Sequence, residues 1–210
     1  MKKQSKSRKK NASPKRVPEL TRRRILKAAH REFTEVGLAG ARVDSIAESA
    51  DVNKRMLYHY FGNKEGLFQE MMRQSLQELS KADAGAPQSL ADEVIYWKDL
   101  LAANNDWIRL LLWEALAYKP RKIIGFKERR AFWQTGVDKI HHDQLANRRR
   151  SDVEPDLLQL YLFMLSSFPL ILPQMTELIT GQSPRDPKFL KRYDAFLLSF
   201  TRQVETAPEK

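Results

Sequence analysis

The sequence predicts an all-α chain. Apolar residues recur at helical spacing from about residue 18 to residue 204, and no stretch alternates apolar and polar residues as a half-buried strand would. Glycine and proline clusters punctuate the periodic stretches, as turns between helices do. Hydrophobic residues make up 42% and charged residues 30% of 210, which is the balance of a folded chain with room for one or two domains.

The elements follow in order. Pro18 opens a first helix with Ile25, Leu26, Ala29, Phe33 and Val36 inward, and Gly37 suits the left-handed stop just past a helix end. Gly40 loosens the next connection. A short second helix over 43–50 turns Val43, Ile46, Ala47 and Ala50 inward, with Asp44 placed to complement its dipole. Asn53 serves as N-cap for a third helix whose buried side is Leu57 and Phe61. Gly62 and Asn63 break the chain before a fourth helix over 64–79, which runs through Leu67, Phe68, Met71, Met72 and Leu76.

Residues 82–89, with Gly85 and Pro87, form the clearest composition shift and the expected domain seam. Amphipathic helices are expected over 90–103 and 106–117. Beyond Pro120 a longer one runs through Phe126, Trp133, Val137, Ile140 and Gln144 to Arg148, Arg149 and Arg150, a solvated end. An apolar helix over 156–179 should bend at Pro169 and Pro173, freeing carbonyls that Ser166 or Ser167 would satisfy. The last helix, over 188–204, carries one stripe through Phe189, Tyr193, Phe196, Leu197, Phe200 and Val204.

Charge is unevenly placed. Residues 1–16 carry eight basic side chains and no acid, against a net charge of +11 for the whole chain. Such a tail is expected to be disordered, either as an arm that follows a phosphate backbone or as a solubilising leader. No apolar run follows it, so a signal peptide is not expected. There is no cysteine, which excludes disulfide and thiolate chemistry and allows a reducing cytosol. The most apolar stretch, 157–172, is short of the roughly 20 residues of a membrane span and holds Gln159, Ser166, Ser167 and Pro169. No membrane association is expected.

The second and third helices, joined by Asp51-Val52-Asn53, have the layout of a helix-turn-helix, which places its second helix in the DNA major groove. On a wheel of 100° per residue with Leu57 facing the core, Lys54, Arg55, Tyr58 and His59 fall between about 60° and 200°, on one exposed face. Lysine and arginine donors match the guanine edge, and histidine donates or accepts at a base. The hydroxyls of Tyr58 and Tyr60 suit phosphate oxygens. Lys64 lies where a helix start also favours anions. Two aromatic side chains among basic groups are unusual for plain helical surface.

Residues 20–72 resemble the DNA-binding domain of the tetracycline-repressor (TetR) family of bacterial transcription regulators. The pattern is Ile25-Leu26-x-x-Ala29-x-x-x-Phe33-x-x-x-Gly37, then Val43-x-x-Ile46-Ala47-x-x-Ala50-x-Val52, then Leu57-Tyr58-x-x-Phe61-x-x-Lys64-x-x-Leu67. The resemblance implies phosphate contacts from Arg42, Tyr58, Tyr60 and Lys64, and base contacts from Lys54, Arg55 and His59. The usual turn glycine is Asp51 here, which tolerates the left-handed conformation better than most residues. The small residue after the basic position is Arg55, which bears on which operator sequence is read.

Phe168-Pro169, Pro173, Gly181 and the amphipathic last helix are similar to the family's carboxyl-terminal domains, in which the last two helices pair across a two-fold axis. The expected organisation is therefore a basic tail over 1–16, a helix-turn-helix DNA-binding domain over 17–82, and a helical ligand-binding and dimerisation domain over 89–210. The expected partners are double-stranded DNA, a second copy of the chain and an unknown small-molecule effector. Trp97, Trp107, Trp113, Phe126, Trp133, His141 and Phe163 are candidates to line the effector pocket, although residues at such spacing also build plain cores.

His141-His142-Asp143 does not make a metal site, because adjacent helical residues diverge by about 100° and Glu114 or Asp138 is not demanded by spacing. No cofactor is expected. Without a phosphate loop, a nucleophile motif or a chelating histidine pair, the chain is not expected to be an enzyme. The expected activity is that of a ligand-released repressor on a near-palindromic operator, acting in the bacterial cytoplasm at the nucleoid. An activator and a ligand-independent architectural DNA-binding protein remain the alternatives.

Overall fold

The computed structural model describes residues 16–117 and 123–205. The basic tail expected over residues 1–16 lies outside them but for Arg16, where the first helix begins. Ten helices are described: α1 (Arg16–Gly40), α2 (Val43–Ser49), α3 (Lys54–Phe61), α4 (Lys64–Asp83), α5 (Leu90–Ala103), α6 (Asp106–Ala117), α7 (Phe126–Leu145), α8 (Pro155–Ile171), α9 (Pro173–Thr180) and α10 (Pro187–Glu205). No strand occurs among the described residues. The chain is all-α and divides into two compact units, with the boundary after Met71, inside α4.

The first unit is built on the apolar faces of α1 to α4. Ile25, Phe33, Ile46, Leu57, Leu67 and Phe68 are buried, and the Phe33 and Phe68 rings meet edge to face at 5.3 Å. Such a contact adds about 1 kcal/mol to the area the rings bury. Gly37 takes φ 70°, breaking α1 before its last residues. Val36, expected inward, is instead exposed beside that break.

In the second unit α5, α7, α8 and α10 close on Leu90, Val94, Ile140, Leu158, Leu162 and Leu197. A buried ion pair ties α5 to α10, Lys98 Nζ lying 2.6 Å from Asp194 and 2.8 Å from Asp99. Burial pulls the Lys98 ammonium down, but these two hydrogen bonds outweigh it and hold the group above its ordinary value. Between α6 and α7, Arg129 meets the Glu114 carboxylate at 2.6 Å, both nearly buried.

Two expectations are corrected here. The apolar stretch 156–179 is two helices, α8 and α9, bent by 86°. Pro169 does not end α8; the break comes at Leu172, and Pro173 opens α9. The carbonyl that Pro169 leaves without a helical donor is that of Leu165, and it accepts from the Tyr193 hydroxyl of α10 at 2.7 Å. Ser166 and Ser167 bond their own helical carbonyls, Leu162 O at 3.0 Å and Phe163 O at 2.6 Å. Arg149 is not a solvated helix end either. It is buried and bonds Glu93 at 2.9 Å and Asp143 at 3.1 Å.

Among the described residues no single helix is long and apolar enough to cross a membrane, although the bent α8–α9 pair passes by length and composition together.

Candidate functional site

The turn between α2 and α3 is fixed from three sides. Asp51 takes φ 50°, the left-handed conformation in which its amide reaches Glu48 O at 2.9 Å and the Val52 amide reaches Ala47 O at 3.0 Å. From α1, Arg24 Nε donates to Ala50 O at 2.9 Å, and its Nη2 donates to Ala50 O, to Asp51 O and to the Asp51 carboxylate. These carbonyls close α2 and have no helical donor, so a guanidinium fork spanning them sets the angle at which α3 departs. Asn53 then caps α3, its Oδ1 accepting from the Arg55 amide at 2.8 Å.

Both neighbouring helix starts are also held. Arg42, the N-cap of α2, has no side-chain acceptor of its own to offer. Glu32 of α1 supplies it, accepting from the Arg42 amide at 3.1 Å and from the Ser45 hydroxyl at 2.9 Å. Asn63 accepts from the Gly66 amide at 2.7 Å to start α4. Gly66 has no substitute there, since a Cβ would lie 2.2 Å from the Phe61 carbonyl oxygen.

With its frame set, α3 buries Leu57 and presents Lys54, Arg55, Tyr58 and His59 to solvent. Tyr60 and Phe61 are half-buried. The Tyr60 ring meets that of His59 at 5.4 Å, and the Arg22 guanidinium lies 5.6 Å from the centre of the Phe61 ring while also pairing with Glu70. Lys54 Nζ lies 2.8 Å from Asp44, and that hydrogen bond raises the ammonium above its ordinary value. An exposed pair of this kind is weak, so Lys54 is available to another acceptor. Lys64 donates to Ala41 O at 3.0 Å and Ala39 O at 3.4 Å, closing the loop after α1. The guanidiniums of Arg42 and Arg55 make no ion pair among the described residues and stand exposed. The face thus carries fixed backbone, free cations and hydroxyls, the donor set that DNA recognition requires.

Arg24, Glu32 and Gly66 were not legible as site residues. Arg24 and Glu32 act 26 and 10 residues away along the chain, beyond any local spacing rule. For Gly66 a signal existed: glycine inside a helix costs stability, so its presence points to a close approach.

A cavity of about 70 Å³ lies within the second unit. Of the aromatic candidates, Trp97, Trp107, Trp133 and Phe163 line it, joined by Phe132. The Trp133 ring stands edge-on to Phe163 at 5.0 Å and to Phe132 at 5.3 Å. Trp113 and His141 do not line it, and Phe126 borders a separate open depression with Ile123, Arg130 and Pro155. Polar groups on the cavity wall are Asp83, Glu93, Lys139, Thr135, Gln159 and Ser166. Glu93 is spent between Lys139 at 3.1 Å and Arg149 at 2.9 Å. Burial, opposed by Lys139 and reinforced by Glu93, holds the Asp83 carboxyl above its ordinary value. Among the described residues no cluster of His, Asp and Glu is arranged to hold a metal ion, and His141 and His142 are exposed.

Comparison with known proteins agrees with this frame. Residues 25–71 match the model of the bacterial regulatory proteins of the tetR family. The chain is similar to the HTH-type transcriptional repressor SCO4008 of Streptomyces coelicolor, with 32% identity over 167 residues that cover 79% of this chain and 86% of that one. It is 30% identical to the HTH-type transcriptional repressor Rv1474c of Mycobacterium tuberculosis over 146 residues, 67% of this chain and 75% of that one. Among solved structures, the transcriptional regulator SCO4942 of Streptomyces coelicolor superposes with a TM-score of 0.72 and 27% identity, covering 87% of this chain and 97% of that one. With its fixed α2–α3 turn, its exposed polar α3 face and relatives that span most of its length, the chain belongs to the tetR family of bacterial regulatory proteins and is a DNA-binding transcription regulator.

Proposed function

We propose that the protein is a homodimeric repressor that reads a near-palindromic operator with two copies of α3 and leaves it when a small molecule occupies the second unit. The observation that carries this reading is the exposed α3 face, with Lys54, Arg55 and His59 toward bases and Arg42, Tyr58, Tyr60 and Lys64 toward phosphates. Two such helices would enter the major groove about 34–36 Å apart. The residues over 17–82 would supply the reading head, and those over 89–210 the effector pocket and dimer interface. The basic tail would add sequence-blind affinity. The setting would be the bacterial cytoplasm, at the nucleoid.

Dimerisation is supported by an apolar face that a single chain leaves open. On α8, Leu157, Leu160, Tyr161, Met164 and Phe168 are exposed, and on α10 so is Phe196 at 47%. Surface of this kind on two neighbouring helices is buried in oligomers. Repression in particular is favoured by the relatives named as repressors. Footprinting of the purified protein on DNA upstream of its own gene, with and without metabolite extract, tests the whole reading. The expected result is two protected half-sites that the extract releases. Protection strengthened by extract would mark an activator, and protection without sequence preference an architectural protein.

A further inference from the structure

The cavity in the second unit is lopsided in charge. Its wall holds two carboxylates, Asp83 and Glu93, and one ammonium, Lys139; Glu93 is shared between Lys139 and the buried Arg149 behind it. Asp83 stands outside that pairing. Its carboxylate lines the cavity and makes no hydrogen bond among the described residues, and burial raises its carboxyl by more than the neighbouring Lys139, bonded to Glu93, lowers it. A second polar group is also unspent. Gln159 makes no side-chain hydrogen bond among the described residues, and its amide lies against Gly136, where a Cβ would come within 2.6 Å of Gln159 Oε1. The rest of the wall is aromatic, and the faces of Trp97, Trp107 and Trp133 attract positive charge through their quadrupoles.

The geometry points to an organic cation as the effector: an ammonium or amidinium on an aromatic or apolar body, with its charge at Asp83, a hydrogen bond to Gln159 Oε1 and its body among the tryptophans. This rests on the reading of the second unit as an effector site and names the ligand class. An anion would meet Asp83 with no free cation to receive it, since Lys139 is held by Glu93. A neutral ligand would leave the Asp83 charge uncompensated. A cation corrects the imbalance and should draw the Asp83 carboxyl back toward its ordinary value.

The test is calorimetric titration of the full chain with three compounds of similar shape: phenethylammonium, 2-phenylethanol and 3-phenylpropionate. The cation should bind about tenfold or more tighter than either of the others. Asp83→Asn should erase that preference without lowering the melting temperature, and should leave operator affinity unchanged. Gly136→Ala, which pushes Gln159 into the cavity, should weaken the cation as well and locate it there. Equal or tighter binding of the neutral or anionic compound overturns the assignment, as does a preference that survives Asp83→Asn, or no binding of any of the three. In each of those cases release of the operator by metabolite extract separates the two ideas. Release would leave the effector site standing without its cation, and the absence of release would remove the effector reading itself.

Discussion

The two units of this chain spend their polar groups in opposite ways. In the first, the polar side chains on the reading face stay free of the backbone, while those that frame it are committed to it: Arg24 holds the α2–α3 turn, Glu32 the start of α2, Asn53 α3, Asn63 α4 and Lys64 the loop after α1. In the second, ion pairs join helices to one another, while an aromatic cavity, one unbalanced carboxylate and an apolar outer face are left over. The difference is the one that the proposed division between reading head and effector unit requires. A surface that must match the groove of DNA gains from being held rigid before it binds. A surface that must accept other molecules needs groups that folding has not used.

The contrast is broken most severely at the leftover face. Phe196→Asp should cost the single chain only the ring contacts with Tyr193 and Phe200, because the side chain is already half exposed there. In a dimer it would bury an unpaired charge, at a cost of about 3–5 kcal/mol. Sedimentation velocity should then show a helical monomer with operator affinity sharply reduced. A variant that still sediments as a dimer would place the interface on another face.

Gly66→Ala attacks the committed unit instead. Its Cβ has to displace the Phe61 carbonyl, a backbone atom that cannot swing aside. The expected cost is about 2–4 kcal/mol, felt where α3 passes into α4. Operator binding should fall for all sequences, while sedimentation still reports a dimer. If operator affinity is retained, the junction tolerates more movement than its geometry implies.

Arg55→Ala sharpens the comparison without disturbing either fold, since the guanidinium makes no ion pair among the described residues. It should cost about 1–3 kcal/mol on the operator and relax preference at one position per half-site. Lys64→Ala should weaken every sequence alike, since its expected partners are phosphates, and should lower stability slightly through the lost bonds to Ala41 and Ala39. Competition binding against operators with single base changes distinguishes the two. Unchanged base preference in Arg55→Ala would remove it from the reading set.

How much was legible follows the same division. The helices of the first unit, the Asn53 cap and the left-handed Asp51 are local features, and local spacing announces them. Gly37 was legible as a break but not the exposure of Val36 beside it. In the second unit the helices were legible, except that α8 and α9 read as one, and their faces less so. Trp133 was placed on a stripe with Phe126, yet α7 turns Phe132, Trp133, Gly136 and Lys139 to the cavity, and Phe126 falls away from it. Arg149 looked solvated because its partner Glu93 lies 56 residues earlier in the chain. Such pairings are tertiary, and no periodicity records them.

The smallest expected effect lies where a helix survives an internal proline. Pro169 cannot donate to Leu165 O, and the Tyr193 hydroxyl takes that donor's place across the α8–α10 packing. Tyr193→Phe keeps the ring, and so the stacking on Phe189 at 5.4 Å, but leaves the carbonyl without this donor. The expected loss is about 1 kcal/mol at neutral pH, read from denaturant unfolding. The pH dependence provides a second reading. Burial, and to a smaller degree Tyr161, push the Tyr193 phenol up to about 12, from an ordinary value near 10. Because the folded value lies above the unfolded one, this contribution is complete below about pH 10 and is lost as pH rises toward 12. The wild type should therefore lose stability across that window more steeply than Tyr193→Phe, and its advantage at neutral pH should vanish within it. Parallel curves would mean that the Tyr193 hydroxyl is not buried as the α8–α10 packing places it.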